Sequence, residues 1–254
     1  MNPFNLDGRV AIITGGNGGL GLGMARGLVR AGAAIAIAAR DERKSEAAVR
    51  QLSEASARCR SYPLQVSSKS ACAQLLERVI GDFGRCDILI NNAGMNIRKR
   101  PEDLSEDEWR QVLDVNLSGA LFCAQAAYPH MKATGGGKIL NIGSMYSLFG
   151  APYVAAYAAS KGGLLQLTRS LACAWAADNI QVNAILPGWI DTDLTRRARE
   201  QIDGLHDLVL SRTPAGRWGE PDDLAGAAVF FSSSASDFVT GAALAVDGGY
   251  LARG

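Results

Sequence analysis

The sequence predicts an α/β fold, in which about seven parallel strands form one doubly wound sheet with helices on both faces. Two observations predict it. Short apolar runs bounded by Gly, Pro, Asn or Asp recur along the chain, and most are followed by a longer segment with helical spacing of apolar residues. Strands that alternate with helices build a parallel sheet through right-handed crossovers.

The predicted elements follow this alternation along the chain. The strand runs lie at 9–14, 33–39, 59–66, 86–91, 138–142, 180–185 and 242–246. A first helical pattern runs from a glycine-rich turn through Val29, and further helices are predicted at 41–57, 70–83, 106–132, 153–178 and 222–232. The first strand run, 9–14, is short and apolar, as expected for a strand that is buried on both faces.

One domain is predicted over 1–254, because 254 residues with 48% hydrophobic content suffice for one core and no linker or repeat divides them. The alternation is broken at 187–219, where the helical pattern is irregular. This segment follows the carboxyl end of a strand, the side of a parallel sheet on which ligands bind. We expect it to act as a substrate lid, with a plain surface helix as the alternative.

Charge and composition argue against several classes of function. A net charge of +1 favours neither nucleic acid nor a membrane surface as partner. The sequence shows no basic-then-apolar leader and no apolar run of about 20 residues, so a cytoplasmic protein is expected. Five scattered cysteines and two isolated histidines argue against disulfides, a metal site and a histidine-based triad.

A glycine-rich turn follows the first predicted strand and contains Gly15, Gly19 and Gly21. Glycines allow a tight turn and close approach to a pyrophosphate, which the N-terminus of the next helix attracts. The position between strand and helix favours a Rossmann-type dinucleotide site, although a turn without a ligand is the alternative.

The end of the second strand indicates which dinucleotide binds. An acidic residue there accepts hydrogen bonds from the ribose 2′-hydroxyl, whereas an arginine accommodates a 2′-phosphate. The sequence has Ala39 at the expected acidic position, followed by Arg40. It therefore predicts a preference for NADP(H), with NAD(H) also possible; a merely solvated Arg40, neutralised by Asp41 and Glu42, is the alternative.

A tyrosine and a lysine four residues apart, Tyr157 and Lys161, begin another predicted helix. On a helix they share one face, where an ammonium would lower the pKa of the phenol toward neutrality. A tyrosine tuned in this way can transfer a proton near pH 7. Ser144 follows the preceding strand and could face the same pocket. An amphipathic helix with a solvated lysine is the alternative.

In this order, the motifs resemble the short-chain dehydrogenase/reductase family over essentially the whole chain. They are Thr14-Gly-x-x-x-Gly19-x-Gly21, Asn91-Asn92-Ala93-Gly94, Asn116, Ser144, Tyr157-x-x-x-Lys161, and Pro187-Gly188 followed by Thr192. The resemblance implies a Rossmann-type fold and a nicotinamide cofactor that carries the hydride, so the protein supplies a proton donor and an oxyanion partner.

The resemblance also implies a role for each matching residue. Tyr157 would be the acid and base, Lys161 would lower its pKa and bind the nicotinamide ribose, and Ser144 would stabilise the substrate oxygen. Asn116 would hold a water that relays protons to Lys161. The expected cofactor contacts are Gly15, Asn17, Gly19, Leu20, Gly21, Arg40, Gln65, Val66, Asn92, Ala93, Gly94, Tyr157, Lys161, Pro187, Gly188, Ile190 and Thr192. Thr192 and the Pro187-Gly188 backbone would hold the carboxamide of the nicotinamide ring.

Two positions depart from the family pattern. Many NADP-dependent members carry a basic residue just before the second glycine of the turn, where this chain has Gly18. The cofactor preference thus depends chiefly on Arg40. The family usually places Asp after the third strand, at the adenine, where this chain has Gln65; an amide oxygen can accept the same hydrogen bond.

The C-terminal segments 214–219 and 246–253 resemble a branch that includes 2-deoxy-D-gluconate 3-dehydrogenase and gluconate 5-dehydrogenase. A basic rim is predicted from Arg98-Lys99-Arg100 and the arginines of 187–219, and it fits an anionic small-molecule substrate or an acidic acyl-carrier protein. A solvated loop without a substrate role is the alternative, because Glu102, Asp103, Glu106 and Asp107 follow directly. A 3-oxoacyl-acyl-carrier-protein reductase and a glucose 1-dehydrogenase are the alternatives, with a non-catalytic cofactor-binding regulator as a remote one. The resemblance also implies a homotetramer assembled through the helices at 106–132 and 153–178.

Overall fold

The computed structural model describes residues 2–53 and 58–253. Within these ranges one parallel sheet contains seven strands, which are β1 (Val10–Thr14), β2 (Ala34–Ala39), β3 (Cys59–Pro63), β4 (Ile88–Asn91), β5 (Gly137–Ile142), β6 (Ile180–Pro187) and β7 (Ala243–Val246). The order across the sheet is β3-β2-β1-β4-β5-β6-β7, and every neighbouring pair is parallel. The predicted doubly wound parallel sheet is confirmed.

Helices cover both faces of the sheet. They are α1 (Gly19–Arg30), α2 (Glu42–Ser53), α3 (Lys69–Phe83), α4 (Glu106–Leu113), α5 (Gly119–Ala133), α6 (Ala155–Trp175), α7 (Asp193–Gln201), α8 (Leu205–Arg212) and α9 (Ala225–Ser232). Alternate residues of β1 feed two cores: Val10 and Ile12 join residues of α3 and α5, whereas Ala11 and Ile13 join residues of α1 and α9. Because successive residues of β1 face opposite sides of the sheet and both sides are buried, the strand is apolar at every position.

Several predicted bounds differ from the structure. The helix predicted at 106–132 is interrupted by a π-helical turn, Asp114–Ser118, which separates α4 from α5. The helix predicted at 222–232 opens with a 3₁₀ turn, Pro221–Leu224, with its proline in the first turn. The third strand ends at Pro63 rather than at Val66. Of the helix predicted at 41–57, residues 54–57 lie outside the described residues.

The sheet order reverses direction between β1 and β4, which are neighbours although β2 and β3 intervene in sequence. A crevice opens at such a switch point, outside the carboxyl ends of the strands. After β6 the chain forms α7 and α8, which enclose a small core of Ala198, Leu205 and Val209. The lid function of 187–219 stays a prediction.

Candidate active site

The glycine-rich turn between β1 and α1 adopts the conformation its glycines permit. Gly15 has φ +63° and Gly19 has φ +48°, both in the left-handed region that other residues rarely adopt. A Cβ at Gly21 would lie 2.5 Å from the carbonyl oxygen of Gly15 and 2.6 Å from Nδ2 of Asn92. Any larger residue at Gly21 would therefore push the turn open.

Hydrogen bonds tie this turn to the end of β4. The buried Thr14 hydroxyl accepts from the backbone N–H groups of Asn92 and Ala93, each at 3.0 Å. In return, Nδ2 of Asn92 donates to the carbonyl oxygens of Thr14 and Gly15, also at 3.0 Å. The two sides of the crevice are thus held by four bonds, and the predicted residues at 14–21 and 91–94 are brought together.

The turn fits the pyrophosphate of a dinucleotide. The backbone conformation exposes N–H groups at the start of α1, and its N-cap residue, Gly18, offers no capping side chain. An uncapped helix N-terminus approached by glycines is a favourable anion site. Leu20, in the first turn of α1, packs beneath it against the core. Gly15, Gly19, Gly21 and Gly94 leave space where a side chain would obstruct the cleft.

The residues predicted to contact the adenosine end of a dinucleotide lie at the exposed edge beyond β2 and β3. Arg40 follows β2 and is exposed, and no ion pair to its guanidinium is present among the described residues. Asp41 instead accepts a hydrogen bond from the backbone N–H of Lys44, at 2.9 Å. Asn17 donates to the Asp41 carbonyl and to Ser45, which ties the turn to α2. Gln65 is exposed and next to buried Val66.

The predicted catalytic residues converge at the ends of β5 and α6. Tyr157 and Lys161 lie one turn apart on α6, with the Lys161 Nζ 5.7 Å from the centre of the Tyr157 ring. Ser144 follows β5, and its side chain is buried beside the phenol. Lys161 is also buried and donates to the carbonyl oxygen of Ile142 at 2.7 Å.

The protonation of this group differs from the sequence prediction. Burial raises the pKa of Tyr157 above its ordinary value, and the Ser144 hydroxyl and the charge of Arg98 lower it only in part. Burial also lowers the pKa of Lys161 to about 8. The predicted drop in the phenol pKa is therefore wrong for the protein without ligand, because desolvation outweighs the lowering by Ser144 and Arg98.

Asn116 lies in the π-helical turn, buried, and its side chain is fully engaged with the protein. Its Oδ1 accepts from the N–H of Met95 at 2.8 Å, and its Nδ2 donates to the Met95 carbonyl and to Ser160. A Cβ at Gly94 would lie 3.4 Å from this Oδ1 and 3.6 Å from the Lys161 Nζ. Asn116 and Lys161 thus meet at Gly94, and the water relay stays a prediction.

The remaining predicted contacts lie where β6 enters the 187–219 segment. Gly188 follows Pro187 and donates its N–H to Val246 at 3.0 Å, and Ile190 is buried. Thr192 caps α7, and its methyl group would lie 3.3 Å from a Cβ at Gly19. The segment therefore touches the glycine-rich turn directly.

A cavity of about 110 Å³ opens in front of Tyr157. Ser144 and Tyr157 line this cavity, and aromatic residues make up much of the rest of its lining. Arg98 is the one charged side chain among the described residues that line it. The buried Nε1 of Trp189 and Oδ1 of Asn96, both at this cavity, have no hydrogen-bond partner among the described residues. The lining also includes Tyr146, Tyr153, Gly188, Leu194, Thr195 and Ile202.

The predicted basic rim is reduced by internal ion pairs. Lys99 pairs with Glu108 and Arg100 with Glu102. In the 187–219 segment, two arginines pair with Asp191 and a third stacks over an aromatic ring; these are Arg196, Arg199 and Arg212. Arg98 makes only a 3.3 Å bond to Gln201, and no ion pair to it is present in the described ranges. The positive charge at the cavity is therefore concentrated on Arg98.

Sequence reasoning missed two contributors. Thr14 was part of a motif, but the four bonds that join Thr14 and Gly15 to Asn92 and Ala93 appear only in three dimensions. Lys44, from α2, places its Nζ 2.9 Å from where a Cβ at Gly18 would be, although no motif marks it. In the described part of the chain, no group of three His, Cys, Asp or Glu residues could hold a metal, and no helix is long and apolar enough to cross a bilayer.

Comparisons with known proteins agree with this geometry. The family described as Enoyl-(Acyl carrier protein) reductase matches residues 15–251. A 2-dehydro-3-deoxy-D-gluconate 5-dehydrogenase of Dickeya dadantii is 44% identical over 254 residues, covering 100% of this chain and 99% of its own. A 5-keto-D-gluconate 5-reductase of Escherichia coli is 40% identical, covering 98% and 97%. The structure of a Burkholderia cenocepacia gluconate 5-dehydrogenase with NADP and tartrate has a TM-score of 0.95 at 41% identity, covering 100% and 99%.

Buried Lys161 predicts a rise in stability at alkaline pH. Because its folded-state pKa is about 8 against an ordinary 10.5, the unfolded chain binds more protons between these values. The free energy of unfolding should therefore rise across this window by on the order of 1–3 kcal/mol. We expect Lys161→Met to abolish this rise, as measured by urea unfolding from pH 7 to 9.5. Lys69→Met, at an exposed lysine, is the control; a rise that persists in Lys161→Met would contradict the assignment.

Proposed function

Because the chain belongs to the short-chain dehydrogenase/reductase family, we propose that it interconverts a secondary hydroxyl and a ketone on a sugar acid of the gluconate type, with NADP(H) preferred. The observation that carries the substrate class is Arg98, the one cation lining the cavity of Tyr157 among the described residues. The names of the similar proteins, a gluconate 5-dehydrogenase among them, support the same class.

When bound, the nicotinamide cofactor supplies or accepts the hydride. The chain's own residues handle the proton. In the direction of ketone reduction, the Tyr157 hydroxyl gives its proton to the substrate oxygen as negative charge develops there. Ser144, whose side chain acts on the same phenol, donates a hydrogen bond to that oxygen. The raised pKa of Tyr157 keeps the phenol protonated, as an acid requires.

Lys161 stabilises the phenolate that proton transfer leaves on Tyr157. Its ammonium has three donors, and one of them is used on the Ile142 carbonyl. The two remaining N–H groups would bind the ribose of the cofactor and the water near Asn116 that we expect to relay protons. Asn116 acts as a positioning residue for this path, because its side chain is held by Met95 and Ser160 and lies, like the Lys161 ammonium, next to Gly94.

Arg98 orients the substrate by its carboxylate. A guanidinium binds a carboxylate through two parallel hydrogen bonds, which fixes both distance and direction. Burial lowers the pKa of Arg98 but leaves the guanidinium charged at neutral pH. A partly desolvated cation of this kind attracts an anion more strongly than a rim charge in water does. The hydroxyl to be oxidised is then placed at Tyr157 by the length of the sugar chain.

Assembly as a homotetramer and a cytoplasmic location stay predictions carried by the family resemblance. Five alanines of the predicted helices at 106–132 and 153–178 have small side chains that would permit packing between subunits; Ala176 is exposed, and the other four are buried within the single chain. Ala120, Ala124, Ala127 and Ala172 are each at most 7% exposed. The close helix packing that they allow is therefore used inside the protomer.

A substrate panel tests the reaction. We expect the purified protein to oxidise NADPH with 5-keto-D-gluconate or a related keto-sugar acid. Tyr157→Phe should reduce turnover by about 10³-fold or more, because the proton donor is lost, while leaving NADPH binding nearly unchanged. Tyr128→Phe removes a hydroxyl that bonds Asp178 outside the site and is the matched control. Turnover of acetoacetyl thioesters alone would overturn the sugar-acid proposal in favour of a 3-oxoacyl reductase.

Arg98→Gln tests the carboxylate contact. We expect it to raise KM for the keto-sugar acid by about tenfold or more, because a charge-assisted pair is lost, with a smaller effect on kcat. The reduction of a neutral keto sugar should change little. Arg100→Gln removes a neighbouring arginine that pairs with Glu102 and serves as control. An equal rise in KM for acidic and neutral substrates would show that Arg98 does not bind the carboxylate.

Arg40→Asp tests the cofactor preference. The substitution replaces a cation at the 2′-phosphate by an anion and supplies an acceptor for a 2′-hydroxyl. We expect the ratio of kcat/KM for NADPH to that for NADH to fall by at least about tenfold. Arg50→Asp, the same charge change at the far end of α2, is the control. An unchanged ratio would show that Arg40 does not determine the preference for NADPH over NADH.

A further inference from the structure

The side chain of Lys44 lies over the glycine-rich turn. Lys44 is in the first turn of α2, and its Nζ forms an ion pair with Asp193 of α7 at 3.0 Å. A Cβ at Gly18 would lie 2.7 Å from its Cε and 2.9 Å from its Nζ. The ammonium is thus held above the residue that precedes Gly19, at the mouth of the cleft, with the side chain 47% exposed.

The backbone at position 18 does not require glycine. Gly18 has φ −178° and ψ 174°, an extended conformation open to any residue. What restricts this position is the space occupied by Lys44. A basic side chain at 18 would compete with Lys44 for the same space and repel its charge. The ammonium of Lys44, which belongs to α2, therefore lies where a side chain at position 18 would extend.

The surroundings leave this ammonium able to bind an anion. A lysine has three N–H donors, and Asp193 takes one of them. Arg40 stands four residues earlier on the same segment. Asp41, three residues earlier in sequence, accepts a hydrogen bond from the backbone N–H of Lys44 rather than from its ammonium. Asp193 has a second cationic partner in Arg196, at 3.3 Å, so it does not depend on Lys44 for compensation.

We propose that Lys44 is a specificity-determining residue for the cofactor: its ammonium binds the 2′-phosphate of NADP(H) together with Arg40. This inference rests on the proposed function and deepens it. It also gives the ion pair with Asp193 a second role. A lysine that bonds the phosphate and Asp193 together ties the start of α7, and with it the 187–219 segment, to the cofactor.

Equilibrium binding tests the proposal without any substrate. Dissociation constants for NADPH and NADH, and for the fragments 2′,5′-ADP and 5′-ADP, would be measured by calorimetry on the full chain. Lys44→Met keeps the length of the side chain and removes its charge. We expect it to weaken NADPH and 2′,5′-ADP by about tenfold and NADH and 5′-ADP by less than about twofold. Lys132→Met breaks a similar exposed ion pair, with Asp178 at 3.0 Å, and is the control.

Gly18→Ala provides a second, independent variant. Its methyl group must displace the end of Lys44, so it should weaken NADPH binding by about threefold or more in the parent protein. In the Lys44→Met background the same substitution should change NADPH binding less, because the displaced charge is already absent. Equal effects in both backgrounds would contradict the arrangement and point to a direct effect of the methyl group on the turn.

Asp193→Asn separates cofactor selection from a purely structural ion pair. It breaks the same pair but leaves the ammonium in place, so we expect the preference for NADPH over NADH to be retained. If Asp193→Asn and Lys44→Met lower this preference equally, or if Lys44→Met weakens both dinucleotides alike, the proposal is wrong. A parent protein that binds neither dinucleotide would overturn the proposed function itself.

Discussion

The hydrogen bonds between Thr14 and Asn92 are the constraint on which the site depends. They close the ends of β1 and β4 where the sheet order reverses, and each polar group involved is paired. Because these strand ends are held together, the turn at Gly15 and Gly21 must pass within van der Waals distance of Asn92. Only glycine fits there, and the uncapped start of α1 then faces the crevice. Close packing at one point thus produces an anion site a few ångströms away.

At Tyr157 and Lys161, by contrast, ionisable side chains are buried in surroundings that disfavour their charged forms. Desolvation lowers the pKa of Lys161 and raises that of Tyr157, and both shifts reduce the charge within the pocket. The Ile142 carbonyl compensates the ammonium only in part. A site of this kind costs folding stability and holds its groups close to the point of proton transfer. The bound cofactor and substrate then determine in which direction the proton moves.

The sequence predicted the elements better than their interactions. Alternating apolar runs and helical segments identified all seven strands. Burial leaves a strong local signal in the five inner strands, whereas β3 and β7, at the edges of the sheet, are more exposed and followed from the alternation. The order of motifs identified Tyr157, Lys161 and Ser144 as neighbours. It did not identify the π-helical turn at Asn116 or the position of Lys44 over Gly18. Both depend on contacts between residues far apart in sequence, and no local pattern records them.

The sequence did not predict which basic side chains are neutralised by ion pairs. The sequence shows basic clusters, but Lys99 and Arg100 are paired with nearby acids while Arg98 is not. Whether two charged side chains form an ion pair depends on their positions in the fold, which their spacing in the sequence does not determine. With a net charge of only +1, recognition depends on which few cations remain available. The proposed function uses Arg98 at the substrate end and Arg40 with Lys44, which also pairs with Asp193, at the cofactor end. Positive charge at these two separate points would match the negative charges of the proposed sugar acid and phosphorylated dinucleotide.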